Sequence, residues 1–441
     1  MTAQPNGSRD MMVFEPSEAF AKQLDERDPL RHYRAQFHIP TRSDGAPVHY
    51  FTGNSLGLQP KGAAEAVEVE LEDWQRLAVE GHFHGRHPWY SYHEPFREPA
   101  AAIVGAKPEE VVLMNSLTVN LHLLLVSFYR PSRERYKVLM EWPAFPSDTY
   151  AVQTQLTFHG HDPDEGMVVV KPREGEHTVR PENVIAAIEE HRDSLALVLL
   201  GGVNYYTGQL YDMPGITQKA HEHGITVGFD LAHAAGNVPL KLHEWDVDFA
   251  CWCSYKYLNG GPGAIAGAFV HERQATNRSL KRFGGWWGTD PEMRFNMHLN
   301  ERFLPVPRAD AWQLSNPPIL SLAPLRVSYG MFAEVGVETL REKSLKLTGF
   351  LEYLLEEHCR KGAAHGHAPP VEIVTPREPA QRGCQLSLLV HTQAEERRQR
   401  LKEAGIISDF RPPNVLRVAP VPLYNSFHDV WVLAQTLTNG G

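Results

Sequence analysis

The chain has 441 residues, 42% hydrophobic and 22% charged, which is typical of a globular protein with a large core and not of a disordered or fibrous one. Its 43 Lys and Arg residues against 53 Asp and Glu residues give a formal net charge of −10, which argues against nucleic acid as the main partner. No apolar run is long enough to span a bilayer, and the N-terminus shows no pattern of an export signal. Four cysteines are too few for a disulfide framework in a chain of this length. We therefore expect a cytoplasmic protein that is not membrane-bound.

The first 300 residues predict helices that alternate with strands. The first 30 residues are polar and predict an arm with one short helix, and apolar residues spaced three or four apart predict a helix over 62–79. The predicted strands that follow are 111–114, 138–142, 195–200, 226–229, 249–253 and 264–270, and the predicted helices between them are 119–128, 181–191 and 217–223. This alternation predicts a mostly parallel sheet covered by helices on both faces.

From residue 320 the pattern changes. A long helical stretch covers 320–358 with a break expected near Gly336, strands are predicted at 371–375, 385–390 and 415–418, and helices at 394–404 and 427–437. We therefore predict two domains. One is a large α/β domain over 60–315, and the other is a small α+β domain over 316–441 that the N-terminal segment 1–59 completes.

The most informative residues follow two neighbouring predicted strands. Asp230 ends the strand at 226–229, and Lys256 comes directly after the next one. Both would emerge at the same edge of the sheet, where open α/β sheets bind ligands. An isolated pair of this kind is more often a strand end and a surface lysine. In this context it predicts a pyridoxal phosphate site, where the lysine forms the Schiff base and the carboxylate keeps the pyridine nitrogen protonated.

Two further segments fit the same cofactor. Residues 115–118 follow a predicted strand and open an apolar helix, whose first N–H groups and hydroxyls would suit a phosphate group. Phe145, in the segment 141–148 after another strand, could lie flat over the cofactor ring. Judged alone, the first segment is more often a helix cap and the second a core aromatic.

Seven segments, taken in order, resemble kynureninase: 51–60, 145–148, 204–209, 228–233, 253–259, 315–318 and 417–425. The resemblance runs from about residue 50 to the C-terminus. It implies the aspartate-aminotransferase-like, type I fold of pyridoxal phosphate enzymes and a homodimer with active sites at the subunit interface. It also implies hydrolysis of L-kynurenine or 3-hydroxykynurenine to an anthranilate and L-alanine, in tryptophan catabolism and NAD biosynthesis.

The same resemblance implies roles for individual residues. Lys256 would hold the cofactor, Asp230 would pair with its ring nitrogen, and Phe145 would stack on the ring. The other cofactor contacts would come from Leu117, Thr118, Pro146, Ser147, Asp148, Gly201, His233 and Tyr255, and across the dimer interface from Trp286 and Asn316. Gly201 stands where some relatives have a serine, so the hydrogen bond of that serine is absent here.

The substrate contacts implied by the resemblance form a second group. Arg417 would bind the α-carboxylate, because its planar fork suits a carboxylate. Tyr206 or Tyr255 would supply protons. The aryl group would lie among Ser55, His82, Trp286, Ser315 and Asn316. Because these groups can hydrogen-bond a ring hydroxyl, we expect a preference for 3-hydroxykynurenine.

Other functions stay open at this point. A cysteine desulfurase-like enzyme or a class V aminotransferase would keep the fold and cofactor, but a desulfurase needs a reactive cysteine, and Cys384 precedes a predicted strand. A non-catalytic scaffold would not need Lys256, Asp230 and Arg417. No metal is expected, because Cys251 and its neighbour two residues on lack a second ligand pair at zinc spacing.

Overall fold

The computed structural model describes residues 13–299, 302–364 and 369–438. The helices of these residues are α1 Glu18–Arg27, α2 Ala63–Leu77, α3 Gly81–His84, α4 Arg97–Val104, α5 Leu117–Phe128, α6 Pro146–Phe158, α7 Pro163–Gly166, α8 Pro181–Glu190, α9 Met213–Glu222, α10 Glu272–Ala275, α11 Ile319–Val335, α12 Val337–Ala364, α13 Ala394–Glu403 and α14 Phe427–Thr438. The strands are β1 His49–Tyr50, β2 Val111–Leu113, β3 Lys137–Glu141, β4 Met167–Val170, β5 Leu195–Gly201, β6 Thr226–Asp230, β7 Phe249–Trp252, β8 Gly267–Val270, β9 Val371–Ile373, β10 Leu386–Val390, β11 Ile406–Ile407, β12 Asp409–Arg411 and β13 Val415–Val418.

A large sheet positions the candidate site. Within the described residues it has seven strands in the order β2-β8-β7-β6-β5-β3-β4. The run from β7 to β4 is parallel, and β8 lies antiparallel between β7 and β2. Its central strands are buried on both faces, which explains why they read as continuous apolar runs. The predicted α/β fold with a mostly parallel sheet is confirmed.

A second sheet forms in the last quarter of the chain. Its strands lie in the order β12-β13-β10-β9 and are all antiparallel, and the pair β1–β11 joins the N-terminal segment to this part. Ala21 and Phe51 share a core with Leu386 and Val430, whereas Leu322 of α11 packs into the core of the large sheet. The predicted division into 60–315 and 316–441 with 1–59 stays a prediction, and residues 1–12 lie outside the described part.

The helix boundaries follow local chemistry. The predicted break near Gly336 separates α11 from α12, and Gly336 has a φ of 75°, a conformation that favours glycine. Nine of the described elements were not predicted from the sequence, and most of them are short: α3, α4, α6, α7, α10, β1, β4, β11 and β12. In β4 three of the four residues are at least partly exposed, so the strand lacks the continuous apolar pattern. Among the described residues, no helix combines the length and the apolar character needed to cross a membrane.

Candidate active site

Asp230 and Lys256 lie at the same edge of the large sheet. Asp230 is the last residue of β6, and Lys256 lies four residues beyond the end of the adjacent parallel strand β7. Both line one small pocket. Its lining residues are Glu141, Phe145, Asp148, Gly201, Val203, Tyr205, Asp230, Ala232, His233 and Lys256. Asp230 and Lys256, the pair from which the sequence predicts a pyridoxal phosphate site, are therefore neighbours in the fold.

Two acidic side chains of the pocket, Asp148 and Asp230, influence each other's pKa. Burial raises the pKa of Asp230, while its interactions with Asp148 and Lys256 act in the opposite direction. Burial and the charge on Asp230 raise the pKa of Asp148 well above its usual value. Asp148 is therefore the protonated partner and Asp230 the carboxylate. Asp230 also accepts a hydrogen bond from the backbone N–H of Ala232 at 2.7 Å.

His233 is the direct partner of the lysine amine. The Nζ atom of Lys256 lies 3.1 Å from Nε2 of His233. Burial and the nearby charge on Lys256 lower the pKa of His233 well below its usual value, so the imidazole is neutral and accepts this hydrogen bond. The other ring nitrogen, Nδ1, is buried and has no hydrogen-bond partner. A buried unpaired nitrogen of this kind is suited to a polar group of a ligand.

Aromatic rings form one side of the pocket. Phe145 lies 5.6 Å from the Lys256 Nζ atom, measured to the ring centroid, and its ring is 41% exposed. Tyr205 packs edge-on against Phe145, with the ring centroids 5.3 Å apart. Phe145 is thus held in place from one side while part of its ring stays free to stack on a flat ligand.

Two helices begin next to these aromatic rings. α5 starts at Leu117 and α6 at Pro146, and neither N-cap side chain bonds to its helix. The Thr118 and Ser147 hydroxyls lie 3.0 Å apart and join the two first turns. Helix starts with free N–H groups and hydroxyls can bind a phosphate, as the sequence predicted for this segment.

Arg417 lies beside the pocket in the small sheet. It is buried in β13, forms an ion pair with Asp409 of β12, and donates a hydrogen bond to the Tyr205 carbonyl. Its Nε atom is buried without a hydrogen-bond partner. Burial lowers the pKa of Arg417 to about 10, so the guanidinium keeps its charge at neutral pH.

The remaining predicted site residues divide into two groups. Tyr255 lies with its ring 5.9 Å from the Lys256 Nζ atom, and Tyr206 packs against Tyr205 with ring centroids 6.1 Å apart. In the described chain, the lining of the pocket does not include Ser55, His82, Trp286, Ser315 or Asn316. The His82 ring contacts the Val79 carbonyl, and Trp286 donates to the Arg294 carbonyl. One chain by itself does not assemble the predicted aryl pocket.

Four lining residues were not predicted from the sequence: Glu141, Val203, Tyr205 and Ala232. Glu141 carried the clearest signal, because it stands near the end of a predicted strand, as Asp230 does. It is 4% exposed, and its Oε1 accepts a hydrogen bond from the Gly201 N–H at 3.1 Å.

The described cysteines and histidines show no further reactive site. Cys384 is fully buried, and burial raises the pKa of its thiol to about 12, which is unfavourable for a nucleophile. Among the described residues, Glu110, His243 and His271 lie close enough to hold a cation. However, Glu110 already accepts the Glu272 N–H, and His271 accepts the Arg273 N–H. These bonds explain the cluster as a hydrogen-bonded network.

Family models and relatives agree on one family. The model "Aminotransferase class-V" matches residues 49–355, and "Kynureninase C-terminal domain" matches residues 340–437. A kynureninase of Myxococcus xanthus is 55% identical over 425 residues, which cover 96% of this chain and 97% of the relative. A kynureninase of Flavobacterium psychrophilum is 52% identical over 429 residues, which cover 97% of this chain and 99% of the relative.

Solved structures share the fold at low identity. The cysteine desulfurase CsdA of Escherichia coli has a TM-score of 0.71 at 16% identity and covers 96% of this chain and 98% of its own. A C-DES mutant with glycine covalently linked to its PLP cofactor has a TM-score of 0.73 at 17% identity, covering 92% of this chain and 99% of its own. At these identities the likeness shows the fold alone.

Proposed function

The chain belongs to the kynureninase family, and from that premise we propose that its pocket holds pyridoxal 5′-phosphate and hydrolyses the Cβ–Cγ bond of kynurenine or 3-hydroxykynurenine. The products are anthranilate or 3-hydroxyanthranilate together with L-alanine, in the kynurenine pathway of tryptophan catabolism and NAD biosynthesis. The observation that carries the proposal is that Asp230 and Lys256 line the same pocket from two adjacent parallel strands. A cytoplasmic location is part of this proposal.

The residues of the pocket fit the cofactor. The unpaired His233 Nδ1 and Asp148 Oδ1 atoms offer polar contacts, and the joined hydroxyls of Thr118 and Ser147 offer a place for the phosphate group. Leu117, Pro146, Gly201 and Tyr255 complete the predicted contact set. When bound, pyridoxal 5′-phosphate supplies an aldehyde for an amine and a ring that accepts electrons.

Each residue then has a task that its environment supports. Lys256 would hold the cofactor aldehyde, and its amine would move a proton at the substrate α-carbon. His233 accepts a hydrogen bond from the Lys256 amine and keeps its orientation. Asp230 stays ionised because Asp148 is the protonated partner, and a carboxylate at this position holds the ring nitrogen protonated. Phe145 limits the movement of the ring.

Arg417 and the tyrosines serve the substrate in this proposal. The guanidinium of Arg417 binds the α-carboxylate, which is supported by its retained charge and its unpaired Nε atom. Tyr206 and Tyr255 are the proton donors for the later steps. Burial raises the pKa of both phenols, so they carry their protons at neutral pH.

The aryl pocket requires a second copy of the chain. We propose a homodimer in which Trp286 and Asn316 of one subunit reach the pocket of the other. Ser55, His82 and Ser315 complete the aryl pocket in this proposal. Their absence from the lining of the pocket in the described single chain supports this arrangement. Polar groups around the substrate ring favour 3-hydroxykynurenine over kynurenine, and a comparison of kcat/KM for the two substrates tests that preference.

The proposal is tested with Lys256→Ala and the surface control Lys241→Ala. Lys241 has a side chain that is 59% exposed and pairs with the exposed Glu244, so its loss should leave activity unchanged. We expect the wild type and the control to bind the cofactor with a visible absorption band and to release fluorescent anthranilate from kynurenine. Lys256→Ala should lose both signals. A Lys256→Ala variant that retains the band and turns over substrate would show that the lysine is wrongly assigned.

A further inference from the structure

Glu141 is a carboxyl group of the pocket that the proposed function does not use. It ends β3 and lines the pocket together with Asp230 and Lys256. Its Oε1 atom accepts the Gly201 N–H at 3.1 Å, whereas its Oε2 atom is buried and has no hydrogen-bond partner. A buried oxygen without a partner is costly, so this orientation calls for an explanation.

The charges around Glu141 indicate its protonation state. Among the described residues that line the pocket, Lys256 is the one lysine or arginine, and it faces three carboxyl groups. Burial, together with the charge on Asp230, raises the pKa of Glu141 to about 8, although the Gly201 N–H acts in the opposite direction. The other titratable groups near it are Asp148, His233, Tyr205 and Tyr211. Glu141 is therefore a neutral acid at neutral pH.

The position of its proton follows from the hydrogen bond. Because Oε1 accepts from a backbone N–H, the proton of the neutral acid resides on Oε2. The unpaired Oε2 then carries the hydroxyl of the neutral acid. Gly201 is the register partner of Asp230 in the neighbouring strand, so the Glu141–Gly201 bond holds the backbone directly beside Asp230. A Cβ atom at Gly201 would lie 3.0 Å from Oε1 and would crowd this bond.

We propose that Glu141, in its neutral form, is a positioning residue of the cofactor pocket. It holds the Gly201 backbone beside Asp230 and leaves Asp230 as the carboxylate that meets the ring nitrogen. This inference rests on the proposed function, because the ligand it serves is the cofactor.

The affinity for the cofactor shows whether Glu141 acts as a neutral acid or as an ionised one. Gln mimics a protonated Glu, because it accepts through Oε1 and donates through Nε2. In absorbance titrations of cofactor-free protein with pyridoxal 5′-phosphate at pH 7, we expect Glu141→Gln to keep the wild-type Kd within about threefold and Glu141→Ala to raise it about tenfold or more. Equal weakening in both variants would mean that the charge is needed, and wild-type binding by Glu141→Ala would remove the positioning role. Either result overturns the proposal.

Stability of the cofactor-free protein is an independent readout. The pKa of the Glu141 carboxyl is raised on folding, from about 4.5 to about 8. The folded protein therefore loses stability as pH rises through this range, because the unfolded state has released a proton that the folded state still keeps. Glu141→Gln should therefore melt at a higher temperature than wild type at pH 9 and at nearly the same temperature at pH 5. The exposed control Glu182→Gln should show no such pH-dependent gain.

The two readouts distinguish the possible failures. A wild-type protein that binds no pyridoxal 5′-phosphate would refute the proposed function, while the melting temperatures would still report the protonation of Glu141. An identical shift of Glu141→Gln at pH 5 and pH 9 would overturn the inference even if cofactor binding is confirmed. If Glu141→Ala does not fold, the Glu141→Gln arm decides by itself.

Discussion

Asp230 owes its charge to its neighbours. Three carboxyl groups share a buried pocket with one lysine, and separate ionisation of all three would leave unbalanced negative charge. Asp148 and Glu141 are the groups that retain protons, since burial and the charge on Asp230 raise the pKa of both. Asp230 remains the anion, which places negative charge at the strand end where the ring nitrogen of the cofactor is proposed to bind.

The substitution Asp230→Asn removes that charge with little change in size. We expect kcat to fall by about 100-fold or more, because the amide cannot keep the ring nitrogen protonated. Steady-state kinetics with kynurenine measure the change. The control Asp193→Asn alters a carboxylate that is 92% exposed and should leave kcat unchanged. If kcat falls only slightly in Asp230→Asn, another group keeps the ring nitrogen protonated.

Sequence could identify Asp230 and Lys256 because consecutive parallel strands bring their C-terminal ends together. Glu141 depends on information that the chain order does not contain. β3 lies beside β5, while β4, which comes between them in the sequence, is at the edge of the sheet. The contact between the Glu141 carboxyl and Gly201 can be recognised only when this strand order is known.

At the scale of elements, the break between α11 and α12 was predictable and α6 was not. Gly336 interrupts an otherwise helical pattern and has φ 75° and ψ 145°, a combination that is open almost only to glycine. α6 begins with Pro146, directly after Phe145, and this segment contains residues that are proposed to contact the cofactor. Its sequence therefore predicts a loop with functional residues and not a helix. Functional segments of this kind weaken local helix patterns.

Gly336→Ala tests whether the break depends on this backbone conformation. We expect a loss of about 1–3 kcal/mol in the free energy of unfolding, because a Cβ atom is strained there even though nothing crowds it within 3.8 Å. Gly330→Ala is the matched control. Gly330 lies inside α11 with open space around its Cβ position, so alanine should stabilise the helix by about 1 kcal/mol. Urea unfolding monitored by circular dichroism measures both changes.

At the scale of the whole molecule, one chain contains an incomplete site. The proposed cofactor contacts come from residues around the large sheet, and the proposed substrate contact Arg417 comes from the small sheet. The lining of the pocket in the described chain does not include Ser55, His82, Trp286, Ser315 or Asn316. A single sequence can identify such residues only through resemblance, because in the proposed dimer their partners belong to another copy. Large apolar side chains around them are exposed, including Phe83 at 51% and Phe295 at 54%. These are suitable groups for a subunit contact.

Shared active sites predict that two inactive variants complement each other. Lys256→Ala lacks the amine of its own site, and Asn316→Ala lacks the group that it contributes to the site of its partner. A mixed dimer then contains one site with both residues intact. Subunit exchange in an equal mixture gives mixed dimers for half of the population, so about a quarter of wild-type activity should return. The same mixture without exchange, or a mixture of Lys256→Ala with Asp230→Asn, should stay inactive, because neither variant of the second pair supplies a complete cofactor side. Activity that fails to return after confirmed exchange would mean that each subunit carries its whole site, and Asn316 would then have to reach the pocket within its own chain.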